Sequence, residues 1–293
     1  MKDKSLGYRA FTVFNYIFLI MVAVCCLYPF YYVVVASVSN PESLIRHSGL
    51  LLLPLKEVTL DGYRLVFKNK LVLSGFVNTY LILFIGLCFN LALTVIGAYV
   101  LSLKKLMLRK PLTILVIITM YFSGGLVPSY LNIRQLGLMN SMWALVIPGA
   151  IQTSNLIIMR SAFMSLPDSL SEAAMIDGAG HFKVLTDIML PLVKATLAVM
   201  VLYYGVSHWN SWFSASIYLR TPSKYPLQLV LRNILIENET SDMLQDIGSA
   251  YTPQVQLLLK YALIVVSTVP IIVVYPFLQR FFQKGVMIGA VKG

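Results

Sequence analysis

The chain has 293 residues, of which 58% are hydrophobic and only 12% are charged, and its formal net charge is +11. Ordinary globular domains carry about 25% charged residues, and a soluble domain of this size has no core large enough to bury so much apolar surface. The composition therefore excludes a soluble enzyme and favours a membrane protein.

Six stretches of the chain, each at least 19 residues long, contain no Asp, Glu, Lys or Arg. Each could cross a hydrocarbon layer roughly 30 Å thick as a helix, and a charge at the centre of that layer costs about 2.5–3.5 kcal/mol. The sequence predicts an all-α, polytopic integral membrane protein with a single transmembrane domain over residues 1–293. The six predicted transmembrane helices lie near residues 10–41, 71–103, 111–133, 135–159, 195–219 and 261–279.

Prolines and glycines inside these spans predict bent helices. Pro29, Pro148, Pro270 and Pro276 lie within predicted spans, and Gly124-Gly125 interrupts the third. Such residues are tolerated in membrane helices where neighbouring groups satisfy the backbone that they free.

The positive charges between the spans indicate an orientation. Lys104, Lys105, Arg109 and Lys110 crowd the segment between the second and third spans, whereas Arg134 alone is charged between the third and fourth. Lys and Arg of short loops are retained on the cytoplasmic side, so both termini are expected in the cytoplasm.

The gap between the fourth and fifth spans, residues 167–191, has the pattern of two short helices joined by a sharp turn. Ser169 and Glu172 match a capping box, in which the serine caps the first helix and the glutamate bonds back to its first amide. Gly178 and Gly180 then supply the permissive backbone that a helix end and a turn need. A second helix is predicted to follow and to continue into the fifth span.

The same gap carries a spaced motif. Glu172-Ala173-Ala174 is followed by Asp177-Gly178, and Ile188 and Pro191 stand near the end. This pattern, between the fourth and fifth of six spans, resembles the EAA loop of permease subunits of binding-protein-dependent ABC importers. The resemblance implies that these seven residues couple the chain to an ATPase.

Three further segments are similar to the smaller permease of sugar and oligosaccharide importers, of the maltose-importer type. They are Trp-Asn-Ser-Trp-Phe at 209–213, Tyr-Pro-Leu-Gln at 225–228 and the C-terminal residues 279–293. The resemblance covers essentially the whole chain and implies a type I ABC importer permease in a bacterial cytoplasmic membrane. A sugar or oligosaccharide is the expected cargo, and the closest likeness is to importers of alginate or a related acidic oligosaccharide.

The resemblance also implies partners: a second homologous permease, two nucleotide-binding ATPase subunits and an extracytoplasmic solute-binding protein, in contact with membrane lipid. The chain contains no Gly-x-x-x-x-Gly-Lys-Ser/Thr phosphate loop, so ATP and Mg are expected on the ATPase subunits and no cofactor on this chain. A transport subunit is expected rather than an enzyme. Glu172 either contacts the ATPase or only caps its helix, and residues 285–293 either reach the ATPase interface or form a frayed end.

Polar side chains inside the spans are candidates for the substrate pathway, because they could bind sugar hydroxyls. An alternative for each amide is a hydrogen bond to a neighbouring helix, worth about 0.6 kcal/mol on average. Two tryptophans three residues apart would share a helix face and stack on sugar rings, or else pack at the membrane interface. The candidates are Asn78, Asn90, Gln152, Asn155, His208, Trp209, Asn210 and Trp212.

The loop between the fifth and sixth spans is the candidate contact with the binding protein, because in the resembling importers this loop reaches into the sugar cleft. Asn238, Glu239, Asp242 and Tyr251 are the expected contact residues. A solvated acidic loop is the alternative.

Two other classes of membrane protein are compatible with six spans. An ion-coupled secondary transporter usually needs a titratable group at mid-membrane, yet the six spans contain no acidic residue. A membrane-embedded enzyme needs clustered His, Cys or carboxylates, which three scattered His and three Cys expected to be buried in apolar runs do not provide, so no metal site is expected. Nucleic acid is not expected as a partner, because the positive residues are spread over both sides of the membrane.

Overall fold

The computed structural model describes residues 6–236 and 253–290. Every regular element within these residues is helical. The helices are α1 (Leu6–Ser37), α2 (Pro41–Arg46), α3 (Asp61–Lys68), α4 (Lys70–Ser102), α5 (Arg109–Tyr121), α6 (Leu126–Gln135), α7 (Trp143–Val146), α8 (Thr153–Met164), α9 (Asp168–Ile176), α10 (His181–Lys183), a π-helical segment (Val184–Met189), α11 (Leu190–Leu192), α12 (Lys194–Trp209), α13 (Trp212–Tyr218), a 3₁₀ turn (Pro222–Lys224), α14 (Leu227–Ile236) and α15 (Pro253–Ala290).

The chain divides into two compact units. The first comprises the described residues of Met1–Lys70 and Asn233–Val269. Its small core packs Val35, Ala36 and Leu44 together with half-buried Tyr261 of α15. Close approach of α3 to α15 requires Gly62, because a Cβ at this position would lie 2.9 Å from the carbonyl oxygen of Leu258.

The second unit comprises the described residues of Leu71–Arg232 and Pro270–Gly293. One core cluster joins α4, α8, the π-helical segment and α12, and contains Tyr99, Phe163 and Tyr204. Another joins α4 to α7 and α13 through Ile82 and Ala215. The central helix of this unit is therefore α4, which contributes to both clusters.

Among the residues that the structure describes, three helical segments are long and apolar enough to cross a membrane: Gly7–Ser37, Lys70–Ser102 and Gln256–Val274. Two bent pairs would raise the number within the described residues to five, namely Arg109–Tyr121 with Leu126–Gln135, bent by 114°, and His181–Leu192 with Lys194–Trp209, bent by 86°. The first bend falls at the predicted interruption of the third span, where Gly125 has a φ of 85°.

The helix ends agree best with the sequence where the apolar run is uninterrupted. The predicted span 71–103 corresponds to α4 within one residue at each end. The predicted span 261–279 lies inside the much longer α15, and the span 10–41 begins and ends four residues later than α1. Pro29 lies within α1, and Pro270 and Pro276 lie within α15.

The predicted span 135–159 is not one helix. A turn follows α6, α7 is only four residues long, and residues 147–152 are irregular before α8 begins. Pro148 lies in this irregular stretch, and proline has no amide hydrogen to continue a helix. The carbonyl oxygens of Gly149 and Ala150, in the irregular stretch itself, accept hydrogen bonds from Asn90 Nδ2 at 2.7 and 2.9 Å. Non-helical backbone in a membrane protein is tolerated when such partners are present.

Candidate functional site

Helix α9 begins two residues earlier than a cap at Ser169 would require. Pro167 is the N-cap residue and no side-chain oxygen bonds to the first amides, so the predicted capping box of Ser169 and Glu172 is wrong. With Asp168 as the first helical residue, Ser169 already lies in the first turn. The Asp168 carboxylate pairs with Lys104 Nζ, and a negative charge in the first turn of a helix is favourable.

Helix α9 ends in a Schellman motif. The amide of Gly178 donates to the Met175 carbonyl oxygen at 3.1 Å, and the amide of Ala179 donates to that of Ala174 at 2.9 Å. Gly178 has a φ of 84°, in the left-handed region that favours glycine. Gly180 instead has a φ of −71°, which any residue adopts, so the prediction that both glycines supply special backbone holds only for Gly178.

The exposed face of α9 presents the acidic part of the motif. Glu172 and Ala173 are exposed, whereas Ala174 is half-buried against the core cluster of the second unit. Asp177 caps the C-terminus of the helix and is exposed. Within the described part of the chain, the Glu172 carboxylate has neither an ion pair nor a hydrogen bond. Its charge is therefore available to a partner.

The second half of the loop contains a wider helix than the spacing predicted. After α10, Val184–Met189 is π-helical, and Ile188 is half-buried there. Pro191 lies exposed in α11, and the helix breaks at Val193 with the 86° bend given above. The expectation of a second helix continuous with the fifth span is therefore wrong. Single π-helical turns are frequent at functional sites.

The loop is held on three long helices. His181 Nδ1 lies 3.0 Å from the Tyr99 hydroxyl of α4, and Val184, Leu185 and Met189 are buried in the cluster that α4, α8 and α12 share. Two large apolar side chains point away from this anchor, because Ile176 is 86% exposed and Phe182 is 77% exposed. The loop is thus packed against the core on one side, and on the other side it presents both acidic and apolar side chains.

A polar cavity of about 350 Å³ lies within the second unit. Its lining is rich in hydroxyl and amide groups and includes no Lys, Arg, Asp or Glu. Hydroxyl and amide groups both donate and accept hydrogen bonds, which suits a sugar. The polar lining residues are Ser129, Gln152, Tyr204, Ser207, His208, Asn210, Ser211, Ser214 and Tyr218.

Tyr204 belongs both to the cavity wall and to the core cluster that seats the loop. Its side chain is fully buried. The hydroxyl lies 2.7 Å from Thr94 Oγ1 and accepts a hydrogen bond from the backbone amide of Gln152 at 3.0 Å. A single side chain therefore ties α4, α8 and α12 together between the loop and the cavity.

His208 lines the cavity and also packs against α4. Its Nε2 lies 2.6 Å from Asn90 Oδ1, and the ring covers Gly86, where a Cβ would lie 2.7 Å from Cε1 and 2.8 Å from Cδ2. Asn210 also lines the cavity, and its amide donates to the Val206 carbonyl oxygen at 3.0 Å.

Three of the predicted pathway amides, those of Asn78, Asn90 and Asn155, have structural partners and do not line the cavity. Asn78 Nδ2 donates to the carbonyl oxygens of Ser223 and Tyr225 at 2.8 and 3.1 Å. Asn155 is buried, and its Nδ2 donates to Gln152 Oε1 at 3.1 Å. All three amides are therefore bonded within the protein, although the Asn155 bond is local and does not reach a neighbouring helix as the alternative expected.

Trp209 and Trp212 do not share a helix face, contrary to the prediction, because α12 ends at Trp209 and α13 begins at Trp212. Trp209 is buried and forms a T-shaped pair with Tyr80, with ring centroids 5.9 Å apart. Trp212 is 38% exposed and carries the Arg232 guanidinium 5.1 Å above its ring. Neither tryptophan lines the cavity.

The four predicted contacts with a binding protein, Asn238, Glu239, Asp242 and Tyr251, lie outside the described residues. Sequence reasoning missed Tyr204, Ser207 and Ser211 as lining residues of the cavity. Ser207-His208-Trp209-Asn210-Ser211, a dense polar run in an otherwise apolar span, is the signal that could have found them.

No protein-family model matches the sequence. The chain is 38% identical over 287 residues to the polygalacturonan/rhamnogalacturonan transport system permease protein YtcP of Bacillus subtilis (strain 168), covering 97% of this chain and 99% of that protein. It is 39% identical over 285 residues to protein LplC of the same organism, covering 97% and 96%. A chain in the crystal structure of a bacterial ABC transporter involved in the import of the acidic polysaccharide alginate superposes with a TM-score of 0.88 at 31% identity, covering 96% of this chain and all of that one.

These likenesses extend over nearly the whole chain and confirm the fold class and the resemblance inferred from the sequence. They do not support the ion-coupled alternative, since the relatives are permeases of transport systems and the structural neighbour is an ABC transporter. The protein is a multi-pass membrane protein, and it belongs to the family of permease subunits of carbohydrate ABC importers.

Proposed function

We propose that this chain is the permease subunit of a bacterial ATP-driven importer of acidic oligosaccharides, and that residues 167–191 couple it to the ATPase. The observation that carries the coupling role is the geometry of α9. A helix with a Schellman end presents Glu172 exposed and unpaired within the described residues, beside the protruding apolar side chain of Ile176.

An ATPase subunit would seat this surface in a cleft. Apolar groups buried on docking supply binding energy, at about 25 cal/mol for each Å² removed from water, and Glu172 supplies a charged contact that fixes register. Phe182 and Ile176 are the most exposed apolar side chains of the loop, so they would bury the most apolar surface on docking. Ala174, Asp177, Ile188 and Pro191 would shape and support the docking surface.

Motion of the ATPase would reach the cavity through packed side chains. The loop shares its core with α4, α8 and α12, and Tyr204 of that core lines the cavity. Close-packed interiors move as rigid bodies rather than deforming continuously, so a displaced loop would carry these three helices with it.

The acidic cargo is supported by two relatives. One is named for polygalacturonan and rhamnogalacturonan, and the structural neighbour imports the acidic polysaccharide alginate. Polygalacturonan, like alginate, is a polymer of an acidic sugar. The cavity offers His208, Asn210 and Gln152 to sugar hydroxyls, and the basic residues Arg220 and Lys224 lie exposed outside its lining, where they would steer an anion.

The remaining parts of the importer belong to other subunits. ATP and Mg would be bound by two ATPase subunits, a second homologous permease would complete the pore, and a solute-binding protein would deliver cargo to residues 238–251. The cluster of Lys104, Lys105, Arg109 and Lys110 supports a cytoplasmic position for residues 167–191 and for both termini, because the positive-inside rule favours basic short loops on that side.

The test is a reconstituted complex of both permeases, the ATPase subunits and the binding protein in liposomes. An oligogalacturonate should stimulate ATP hydrolysis and be taken up, whereas its carboxyl-reduced, neutral counterpart should do neither. Equal stimulation by the two sugars would overturn the acidic cargo. Uptake that persists without ATPase subunits would overturn the coupling.

A further inference from the structure

A second cavity, of about 680 Å³, lies in the second unit at the ends of α4 and α5 and is surrounded by positive charge. Lys104 comes from the segment after α4, Arg109 and Lys110 from the first turn of α5, and Arg160 from α8. Three separate elements thus direct four basic side chains toward one space.

These charges are only partly balanced. Asp168 is the one carboxylate among the described residues that pairs with any of the four, and its partner is Lys104. Arg109 Nη2 contacts Met164 Sδ at 3.1 Å, and a thioether is a weak acceptor. Arg160 is held by a hydrogen bond from its Nε to the Leu101 carbonyl oxygen at 3.0 Å. Three positive charges therefore share the cavity without a carboxylate.

The local electrostatics are unfavourable for an empty cavity. Burial, together with the positive charge of Arg109, lowers the pKa of Arg160. The first turn of α5 contains two cations, lacks acidic residues and has no side-chain cap, although the positive end of a helix dipole favours negative charge. A bound anion would offset the positive charge around Arg160, and it would interact favourably with the N-terminus of α5.

Apolar surface adjoins the same cavity. Met107 and Ile114 line it and are 91% and 58% exposed, and Ile118, one turn further along α5, is 49% exposed. Positions i and i+4 share a helix face, so the apolar surface continues from the cavity along α5. In a membrane protein this boundary, with cations on one side and exposed apolar groups on the other, lies at headgroup level.

We propose that this cavity binds an anionic phospholipid, with the phosphate among Arg109, Lys110 and Arg160 and an acyl chain along Ile114 and Ile118. A soluble phosphate would satisfy the charges but leave the apolar surface uncovered, which is why a lipid fits better. The lipid proposal requires only that the chain spans a membrane. It does not depend on which cargo is carried or on whether residues 167–191 couple the chain to an ATPase.

The test uses the purified full-length chain with its partner subunits in detergent, with bound lipid counted by native mass spectrometry. Phosphatidylglycerol should be retained and zwitterionic phosphatidylcholine should not. Each charge removed, by Lys110→Gln or Arg109→Gln, should weaken phosphatidylglycerol binding roughly fivefold. Lys105→Gln, in the same segment but not lining the cavity, is the matched control and should bind as the parent does.

Two further arms separate the lipid from other ligands. Millimolar inorganic phosphate should not displace phosphatidylglycerol, because displacement would indicate a site for soluble phosphate and overturn the lipid assignment. Binding by Arg109→Gln equal to that of the parent would overturn the site itself. If a variant fails to assemble, a salt titration of the parent complex tests the proposal instead. Retention of phosphatidylglycerol should fall as ionic strength rises, and retention that does not change with salt would overturn the site.

Discussion

The left-handed backbone of Gly178 allows the proposed coupling role of residues 167–191 to be tested by adding a single methyl group. A Cβ added at Gly178 meets no atom within 4 Å, so Gly178→Ala introduces no clash and its whole cost is conformational. A residue with a Cβ in the left-handed region pays about 1–2 kcal/mol. This free-energy cost would lower the equilibrium constant between the native turn and its alternative conformations by a factor of about 5 to 30.

The assay is ATP-dependent uptake in liposomes that contain the complete importer, with insertion and assembly of each variant checked in parallel. Uptake should decrease in the order Gly, Asn, Ala, Val at position 178, because asparagine tolerates the left-handed region and a β-branched residue tolerates it least. Gly180→Ala is the matched control. It lies two residues away, also meets nothing within 4 Å and has a φ of −71°.

Two results would refute this reasoning. If Gly178→Ala and Gly178→Val both transport as the parent does, the Schellman turn is not needed for coupling. If Gly180→Ala loses as much uptake as Gly178→Ala, the segment is sensitive for a reason other than its left-handed backbone.

Three further substitutions test the site. Glu172→Lys should abolish uptake and coupled ATP hydrolysis while the subunit still assembles, and Glu172→Gln, which keeps the shape, should lose less; full transport by the lysine variant would contradict a charged contact. Asn90→Ala leaves two backbone carbonyls unpaired, at about 1–3 kcal/mol each, so the melting temperature of the complex should fall, whereas Asn210→Ala, on an exposed amide, should leave it nearly unchanged. Tyr204→Phe removes two hydrogen bonds and should lower the melting temperature and the uptake rate, whereas Tyr203→Phe, at a 45% exposed position, should change neither; equal melting curves for the two tyrosine variants would rule out the bonding role of Tyr204.

The sequence predicted the parts of the fold that depend on membrane solvation. An apolar run without charges predicts the ends of α4 within one residue, because a helix satisfies all of its backbone hydrogen bonds within the segment that crosses the lipid. The break at Gly125 was also predictable, since two adjacent glycines weaken a helix locally.

Features that depend on tertiary contacts were not predictable in the same way. Ser169 matched a cap by spacing, but Pro167 and the ion pair of Asp168 with Lys104, 64 positions away along the chain, set where α9 begins. The irregular stretch after α7 is stable because Asn90, on another helix, bonds to its carbonyls. Trp209 and Trp212 lie on different helices because the chain breaks between α12 and α13, and the spacing of apolar residues in this segment does not predict the break.

The contact between Gly86 and His208 restricts how this part of the protein can evolve. An added Cβ at position 86 would come closer to the imidazole ring than real Cβ atoms do, and its nearest ring atom, Nε2, is already held by Asn90 Oδ1 at 2.6 Å. A lineage that keeps a large ring at position 208 must therefore keep glycine at position 86. One that replaces the ring with a small side chain becomes free to accept alanine there, so the two positions should change as a pair when relatives are aligned.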